Sequence, residues 1–408
     1  MSTREHKIYD LVVVGAGMMG SAAARHASLI PAISVCLLGP EEPKNREGRD
    51  IFGCWYDEGR VYRRIAELHT WSVLATESVA RYSLLEDETG IKFHTEVGYL
   101  HATPDTQEFR DLMTVSRRHN LEAEDITATW RARFPYLNFG DDCSVFWEKS
   151  AGHLSPRDLV KAQQTAASQH GADIVRDVVT AITPSGADTH KWEVRTESGR
   201  VVRGHRVLVA VGGSSALRPL FQHVAPGKVP NLQLRTQTVA FLKVAEEEAH
   251  RLRDLPTFFT NQKFEDMDGG YVLPPIKYPD GNWYLKMGHN RRHEDDLHPN
   301  EVVEWYAHRR GNSECIQKLG RFMQHLLPDV KALELSGDGC LTSHTPNQEP
   351  YIDVIAEGFG VALGGNRWAA KSSDEIGRLA ARLVVLGEWR TEIPKDRVRV
   401  IWKAQSHL

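Results

Sequence analysis

The chain has 408 residues, 41% hydrophobic and 25% charged, with a formal net charge of −4. That length exceeds one ordinary compact core, so two domains are expected, and the scattered basic residues lack the clustered positive face of a nucleic-acid binder. Five widely spaced cysteines with no Cys-x-x-Cys pair argue against a disulfide framework and a structural zinc site, and point to a reducing compartment.

The polar start, Met1-Ser-Thr-Arg-Glu-His-Lys, has no apolar signal core, and no run of about 18 apolar residues occurs, so a soluble protein without a membrane partner is expected. Residues 9–14 form a short β-branched apolar run before a glycine turn, the pattern of a buried parallel strand. An alanine-rich helix over 21–30 and a second strand over 33–38 complete a βαβ unit. After a polar stretch, residues 60–89 carry helical spacing, and 92–147 break into strands and turns. A helix begins at Ser155-Pro156-Arg157-Asp158, where serine caps, proline suits the first turn and the acid favours the N-terminus; it runs to His170. Strands follow at 172–176 and 207–211, the latter ending in Gly212-Gly213. Between 233 and 327, alternating strands mix with one long helix over 299–326. A strand, the glycine turn Gly364-Gly365 and a helix over 372–386 close the chain. Without repeats or a low-complexity linker, the two domains are expected to interleave in an α/β protein.

Gly15-Ala16-Gly17-Met18-Met19-Gly20 lies between the first strand and helix. Glycines at those places allow a tight turn, approach of a pyrophosphate and close helix packing, with the phosphates on the helix N-terminus. An acid about 20 residues further on holds the ribose in such sites. Here the second strand ends Leu38-Gly39-Pro40-Glu41-Glu42; Gly39 occupies the usual position, and Glu41 is the substitute.

These pieces, with Tyr56-Asp-Glu-Gly-Arg60-Val-Tyr62, Gly152-His-Leu154, Ala210-Val-Gly212-Gly213 and Cys340-Leu-Thr-Ser-His-Thr345-Pro346, resemble the monomeric sarcosine oxidase and peroxisomal pipecolate oxidase family of FAD-dependent amine oxidases in the DAO superfamily. The resemblance covers nearly the whole chain. It implies a Rossmann-like FAD-binding domain (1–90, 150–230 and 328–408) interleaved with a mainly antiparallel-sheet substrate domain (91–149 and 231–327). It also implies Val178 or Val179 beside the adenine, FAD bonded covalently through Cys340, and a flavin-binding turn at Gly364, Gly365, Asn366, Arg367 and Trp368 that ends in Lys371. Lys371 then contacts flavin and a substrate carboxylate. Thr342 and Asn347 replace the family's tyrosine and aspartate, and Arg367 and Trp368 its glycine and histidine.

In the same family a lysine above the flavin, here Lys286, promotes reaction with O2, where a fixed positive charge stabilises the anion that forms. Tyr271 resembles the active-site tyrosine. Asn290 stands at the place of an active-site histidine, so proton handling there is lost. The two family arginines have no counterpart: Asp50 and Gly53 hold their places, and Arg49 supplies one if the loop is shifted by a residue. A carboxylate normally wants a bidentate arginine, which puts amino-acid substrates in doubt. The His289 to His298 cluster reads as a solvated charged turn, and no metal is expected.

The implied reaction passes a hydride from a small amine or amino acid to flavin, giving an imine, and oxygen takes the electrons to yield hydrogen peroxide. A dehydrogenase using another acceptor and a non-catalytic flavoprotein are the alternatives. A monomer is expected, and the terminal Ser406-His407-Leu408 resembles a peroxisomal address, with the cytoplasm otherwise.

Overall fold

A computed structural model describes residues 7–45, 49–290 and 294–405; the tail tripeptide and residues 291–293 of the histidine-rich cluster lie outside them. Two large sheets organise the chain. In the first, Ile8–Val14 runs parallel between Val201–Val209 and Val35–Leu38, with Asp173–Val175 outside the latter. Phe359–Leu363 pairs parallel with Val201–Val209 on the other side. Leu11, Val12 and Val13 are fully buried, as a strand covered on both faces requires. The helices Met18–Ser28 and Ala369–Leu386 cross on one face, where a Cβ on Gly377 would lie 2.5 Å from the Ala23 amide nitrogen. Small residues therefore set how closely the two helices approach.

The second sheet runs Asp296–Leu297, Gln233–Val244, Trp283–His289, Gly270–Lys277, Thr257–Thr260, Tyr99–Thr103, Ser144–Glu148 and Ala123–Asp125, with Ala332–His344 also along Gln233–Val244. One row crosses it in register: His101, Phe259, Tyr271, Gly288, Val239 and Asp338. Since side chains alternate along a strand, Tyr99, Lys286, Gln237 and Cys340 share that face two residues away. The opposite face carries Val272, Leu285, Met287 and Leu242, which pack with Leu319, Phe322 and Met323 of the helix Ser313–Leu326.

Several elements depart from the sequence pattern. The single helix expected over 299–326 is two, Pro299–His308 and Ser313–Leu326, because Arg309 (φ 44°) and Gly311 (φ 64°) are left-handed and Asn312 caps the second. A helix, Thr106–Arg118, stands where strands and turns were expected; Asp105 caps it by accepting from the Gln107 and Glu108 amides. Arg60–Tyr62 is a strand paired with Gly152–Leu154, ahead of the helices His69–Val79 and Tyr82–Thr89. Ala332–His344, inside the segment assigned to the FAD-binding domain, pairs within the second sheet. Among the described residues no helix is long and apolar enough to cross a membrane.

The helices of the first domain are tied by Asp374, 1% exposed, which accepts from Arg25 Nη2 at 2.9 Å, Gln163 Nε2 at 2.8 Å and Arg81 Nε at 2.7 Å. Burial works to raise the Asp374 carboxyl, but His26, Arg25 and Arg81 outweigh it and hold it well below the usual carboxylate range. A depressed carboxylate stabilises the fold above its unfolded value of about 3.9 and loses that contribution as pH falls further. Asp374→Asn should cost about 3–5 kcal/mol at neutral pH by leaving the buried Arg25 without its carboxylate, Arg81 keeping Glu375. Urea unfolding should show that gap narrowing below about pH 4; a gap unchanged by acid would contradict the assignment.

Candidate active site

The two sheets enclose a cavity of about 390 Å³. At one end lies the glycine turn. Gly15 has φ +112°, and a Cβ there would meet the Ala210 carbonyl oxygen at 2.4 Å. A Cβ on Gly20 would lie 1.8 Å from the Gly15 carbonyl oxygen, so Gly20 serves strand–helix packing and does not line the cavity. Gly17 differs: its nearest neighbour is the Trp55 ring at 3.5 Å, and the space in front of it is open to the cavity. Gly17 is also the N-cap of Met18–Ser28 and offers no side-chain cap, which leaves first-turn amides for an anion. Met18, Met19, Val178, Val179 and Gly212 complete this wall. An open glycine at an uncapped helix start, beside apolar valines, fits a dinucleotide.

Glu41 does not join it. Its carboxylate is 70% exposed, pairs with Arg176 at 3.2 Å and is absent from the cavity wall. Nor could an acid stand at position 39, where a Cβ would lie 2.5 Å from the Ala16 amide nitrogen.

At the other end the cavity-facing row of the second sheet meets residues 50–60. Lys286, 1% exposed, contacts the Asp57 carboxylate and donates to the Gly59 carbonyl at 2.9 Å. Burial and the charge of Arg60 push the Lys286 ammonium well below the ordinary lysine range, while the touching carboxylate acts in the opposite sense. Asp57 also contacts Arg60 and accepts from Tyr278 at 2.9 Å. Arg60 Nη2 donates to the Cys54 carbonyl at 3.0 Å and lies 3.7 Å from Cys340 Sγ. A hydrogen bond from Cys54 and the charges of Arg60 and Arg309, against burial, pull the Cys340 thiol down to about 5. These contacts favour the thiolate of Cys340, the reactive form of the residue. Tyr271 stands beside Gly288, where a Cβ would lie 2.4 Å from its ring; burial raises its phenol.

The C-terminal turn closes the cavity from the first domain. Gly364, Asn366 and Arg367 have φ of 79°, 46° and 71°. Asn366 is not on the cavity wall: it clamps the turn, accepting from the Thr345 amide at 2.9 Å and donating to the Gly364 carbonyl at 2.9 Å. Arg367 lines the cavity but is held by the His289 carbonyl at 2.7 Å and by Glu294 at 3.2 Å. Glu294, whose side chain is buried, also lies 3.5 Å from Arg235, so this part of the charged cluster is an ionic node and not the solvated turn expected. Gly365, Trp368 and Lys371 line the cavity, Lys371 in the first turn of Ala369–Leu386. Burial, reinforced by Arg63, pushes Lys371 well below the ordinary lysine range.

Arg63 was not singled out from the sequence. It lines the cavity near Lys371, stacks over the Tyr99 ring at 5.1 Å and donates to the Ile65 carbonyl at 2.6 Å. Asp50 instead pairs with Arg218 at 2.6 Å, a Cβ on Gly53 would strike the Trp55 ring at 2.5 Å, and Arg49 is off the wall. A polar chain was also missed: Asn290 Nδ2 donates to Asn261 at 3.3 Å, Asn261 to Glu108 at 2.6 Å, Glu108 lies 3.3 Å from His101, and His101 lies 3.1 Å from the Tyr99 hydroxyl. Burial lowers the His101 imidazole below its ordinary value, while Glu108 works to raise it. His69, His119 and Glu392, among the described residues, come together as potential metal ligands away from the cavity.

Comparison with known proteins agrees with this geometry. The family profile described as "DAO: FAD dependent oxidoreductase" matches residues 10–383. Monomeric sarcosine oxidase of Arthrobacter sp. (strain TE1826) is 23% identical over 401 residues, covering 95% of each chain. N-methyl-L-tryptophan oxidase of Yersinia pestis (strain Pestoides F) is 23% identical over 382 residues, covering 91% of this chain and 94% of its own. The solved structure of NikD, described as an unusual amino acid oxidase essential for nikkomycin biosynthesis, superposes with a TM-score of 0.75 at 20% identity, over 99% of this chain and 100% of that one.

The glycines separate ligand from fold. Gly17→Val should leave thermal stability nearly unchanged yet weaken FAD binding roughly tenfold or more, as losing one charge-assisted hydrogen bond does. Gly20→Ala should instead cost about 1–3 kcal/mol of stability. FAD fluorescence titration and thermal melts of both variants check this; unchanged FAD affinity in Gly17→Val would overturn the phosphate site.

Proposed function

The chain belongs to the DAO family of FAD-dependent oxidoreductases acting on amines or amino acids, and on that footing we propose that it oxidises a small secondary amine or an N-methyl or cyclic amino acid to the imine, with O2 reduced to hydrogen peroxide. The observation that carries the substrate class is the pair Arg63 and Lys371. Arg60, Arg309, Arg367 and Lys286 each meet a carboxylate, whereas Arg63 and Lys371 have none within 4.0 Å among the described residues. A half-buried guanidinium that no carboxylate touches, beside a buried lysine whose charge would be restored by a negative neighbour, favours an anion, and a substrate carboxylate supplies one. With Asp50 and Gly53 in the places of the family's arginines, the guanidinium that supports a carboxylate-bearing substrate is that of Arg63.

FAD supplies the two-electron acceptor for the hydride. Gly17 and the first-turn amides of Met18–Ser28 would hold its pyrophosphate, Val178 and Val179 its adenine, and the Cys340 thiolate would form its covalent tether. Arg63 and Lys371 hold the substrate carboxylate, which sets the amine carbon against the acceptor. Tyr271 and Trp368 wall the site from water. Lys286 places positive charge where negative charge develops on oxygen. The terminal Ser406-His407-Leu408 supports a peroxisomal address for an enzyme that makes peroxide.

One observation favours a second reading. The Asp57 carboxylate against Lys286 offsets the charge that oxygen would use, which suits a dehydrogenase with another electron acceptor.

Anaerobic addition of sarcosine, L-pipecolate or N-methyl-L-tryptophan should bleach the flavin absorbance, and air should restore it with one peroxide per turnover. Bleaching by none of them would count against the amino-acid reading. Arg63→Met should raise KM about tenfold to a hundredfold for a carboxylate-bearing substrate, and leave its decarboxylated analogue unaffected. Lys286→Met should slow reoxidation by O2 while sparing anaerobic reduction; reoxidation faster by a quinone dye than by O2 in the wild type would select the dehydrogenase.

A further inference from the structure

Cys54 lies beside Cys340, and nothing in the proposed reaction uses it. Cys54 belongs to the irregular segment before Tyr56, and Cys340 to the strand Ala332–His344. Their sulfurs converge on one atom: Cys54 Sγ is 3.2 Å and Cys340 Sγ 3.7 Å from the Leu341 carbonyl oxygen. Both side chains are half-buried, both thiols are free, and both line the cavity. The surroundings of the two differ. Cys340 has the Arg60 guanidinium at 3.7 Å and the Arg309 charge nearby, while Cys54 has the Tyr306 hydroxyl at 2.6 Å. Hydrogen bonding to Cys340 and burial raise the Cys54 thiol well above its ordinary value while the arginines lower that of Cys340, so of the two Cys340 is the one that gives up its proton more readily.

An accessible low-pKa thiolate next to a second cysteine is the arrangement in which peroxide oxidation ends in a disulfide. We propose that, in chain whose Cys340 has not been bonded to flavin, Cys54 and Cys340 are a modification site: hydrogen peroxide converts them to a reversible disulfide in which Cys54 is the resolving thiol. The Cys340 sulfur attacks one peroxide oxygen; the O–O bond breaks, and the leaving hydroxide takes a proton to become water. The Cys54 sulfur then attacks the Cys340 sulfenic acid; the S–O bond breaks, the oxygen leaves as water with the Cys54 proton, and the S–S bond forms. Two thiols and one peroxide give one disulfide and two waters, with two electrons passing from sulfur to oxygen. The disulfide withholds Cys340 from flavin and from further, irreversible oxidation, and a thiol reductant restores it. The inference does not depend on which amine is oxidised.

Full-length chain expressed under riboflavin limitation, treated with several equivalents of hydrogen peroxide and read by intact mass and peptide mapping, tests it. The wild type should lose about 2 Da through a Cys54–Cys340 cross-linked peptide, and should regain covalent FAD uptake after dithiothreitol. Cys54→Ser should instead gain about 32 Da at Cys340 as sulfinic acid, and reductant should not recover it. Equal overoxidation of Cys340 in wild type and Cys54→Ser, or a Cys340 that peroxide leaves unchanged, would overturn the proposal. A failure of the amine-oxidation reading registers separately, as flavin that no amine bleaches.

Discussion

The site depends on one buried carboxylate. Asp57, 7% exposed, touches Lys286 from the second sheet and Arg60 from its own segment, and accepts the Tyr278 hydroxyl at 2.9 Å. Burying so many charges is costly unless each finds a partner. Here they do: Asp57 answers Lys286 and Arg60, Asp338 answers Arg309, and the Cys340 thiolate sits within reach of both guanidinium groups. The segment that begins beside the glycine turn is thereby fixed to the sheet that carries Lys286, and the cavity between the sheets keeps its shape.

That arrangement gives the cavity two chemically different ends. Near the thiolate and Lys286 the cations are compensated, which suits a cofactor that must change charge as it is reduced and reoxidised. Near Arg63 and Lys371 no carboxylate touches either side chain, with Glu148 and Glu67 acting on Lys371 only from farther off, which suits a substrate that brings its own negative charge. A single row of residues, from His101 to Asp338, spans both ends because six strands hold it in register. Function in this chain is set by sheet register as much as by the glycine turn.

Local patterns were legible in the sequence where geometry leaves few choices. Gly15 and Gly17 sit where a turn and an approaching phosphate forbid a side chain, so spacing alone found them. Lys286, Cys340 and Lys371 could be named through resemblance, and the cavity does gather them. Glu41 failed because position 39 is too close to Ala16 for any acid, and the chain carries its next acids outward. Arg63, Asp57 and the Tyr99–His101–Glu108 chain were hidden for another reason: each meets the site through a partner far along the chain. Asp57 in particular stands in the sequence only as one residue of Tyr56-Asp-Glu-Gly-Arg60, and its weight appears once Lys286 is folded against it.

The central claim is that a flavin lies between the glycine turn and the lysine-bearing sheet, bonded at Cys340. Mass spectrometry of proteolysed enzyme addresses it most directly: the account predicts FAD on the peptide that contains Cys340, and loss of that adduct in Cys340→Ala. A purified chain that is colourless, takes up no flavin on reconstitution and yields an unmodified Cys340 peptide would contradict it.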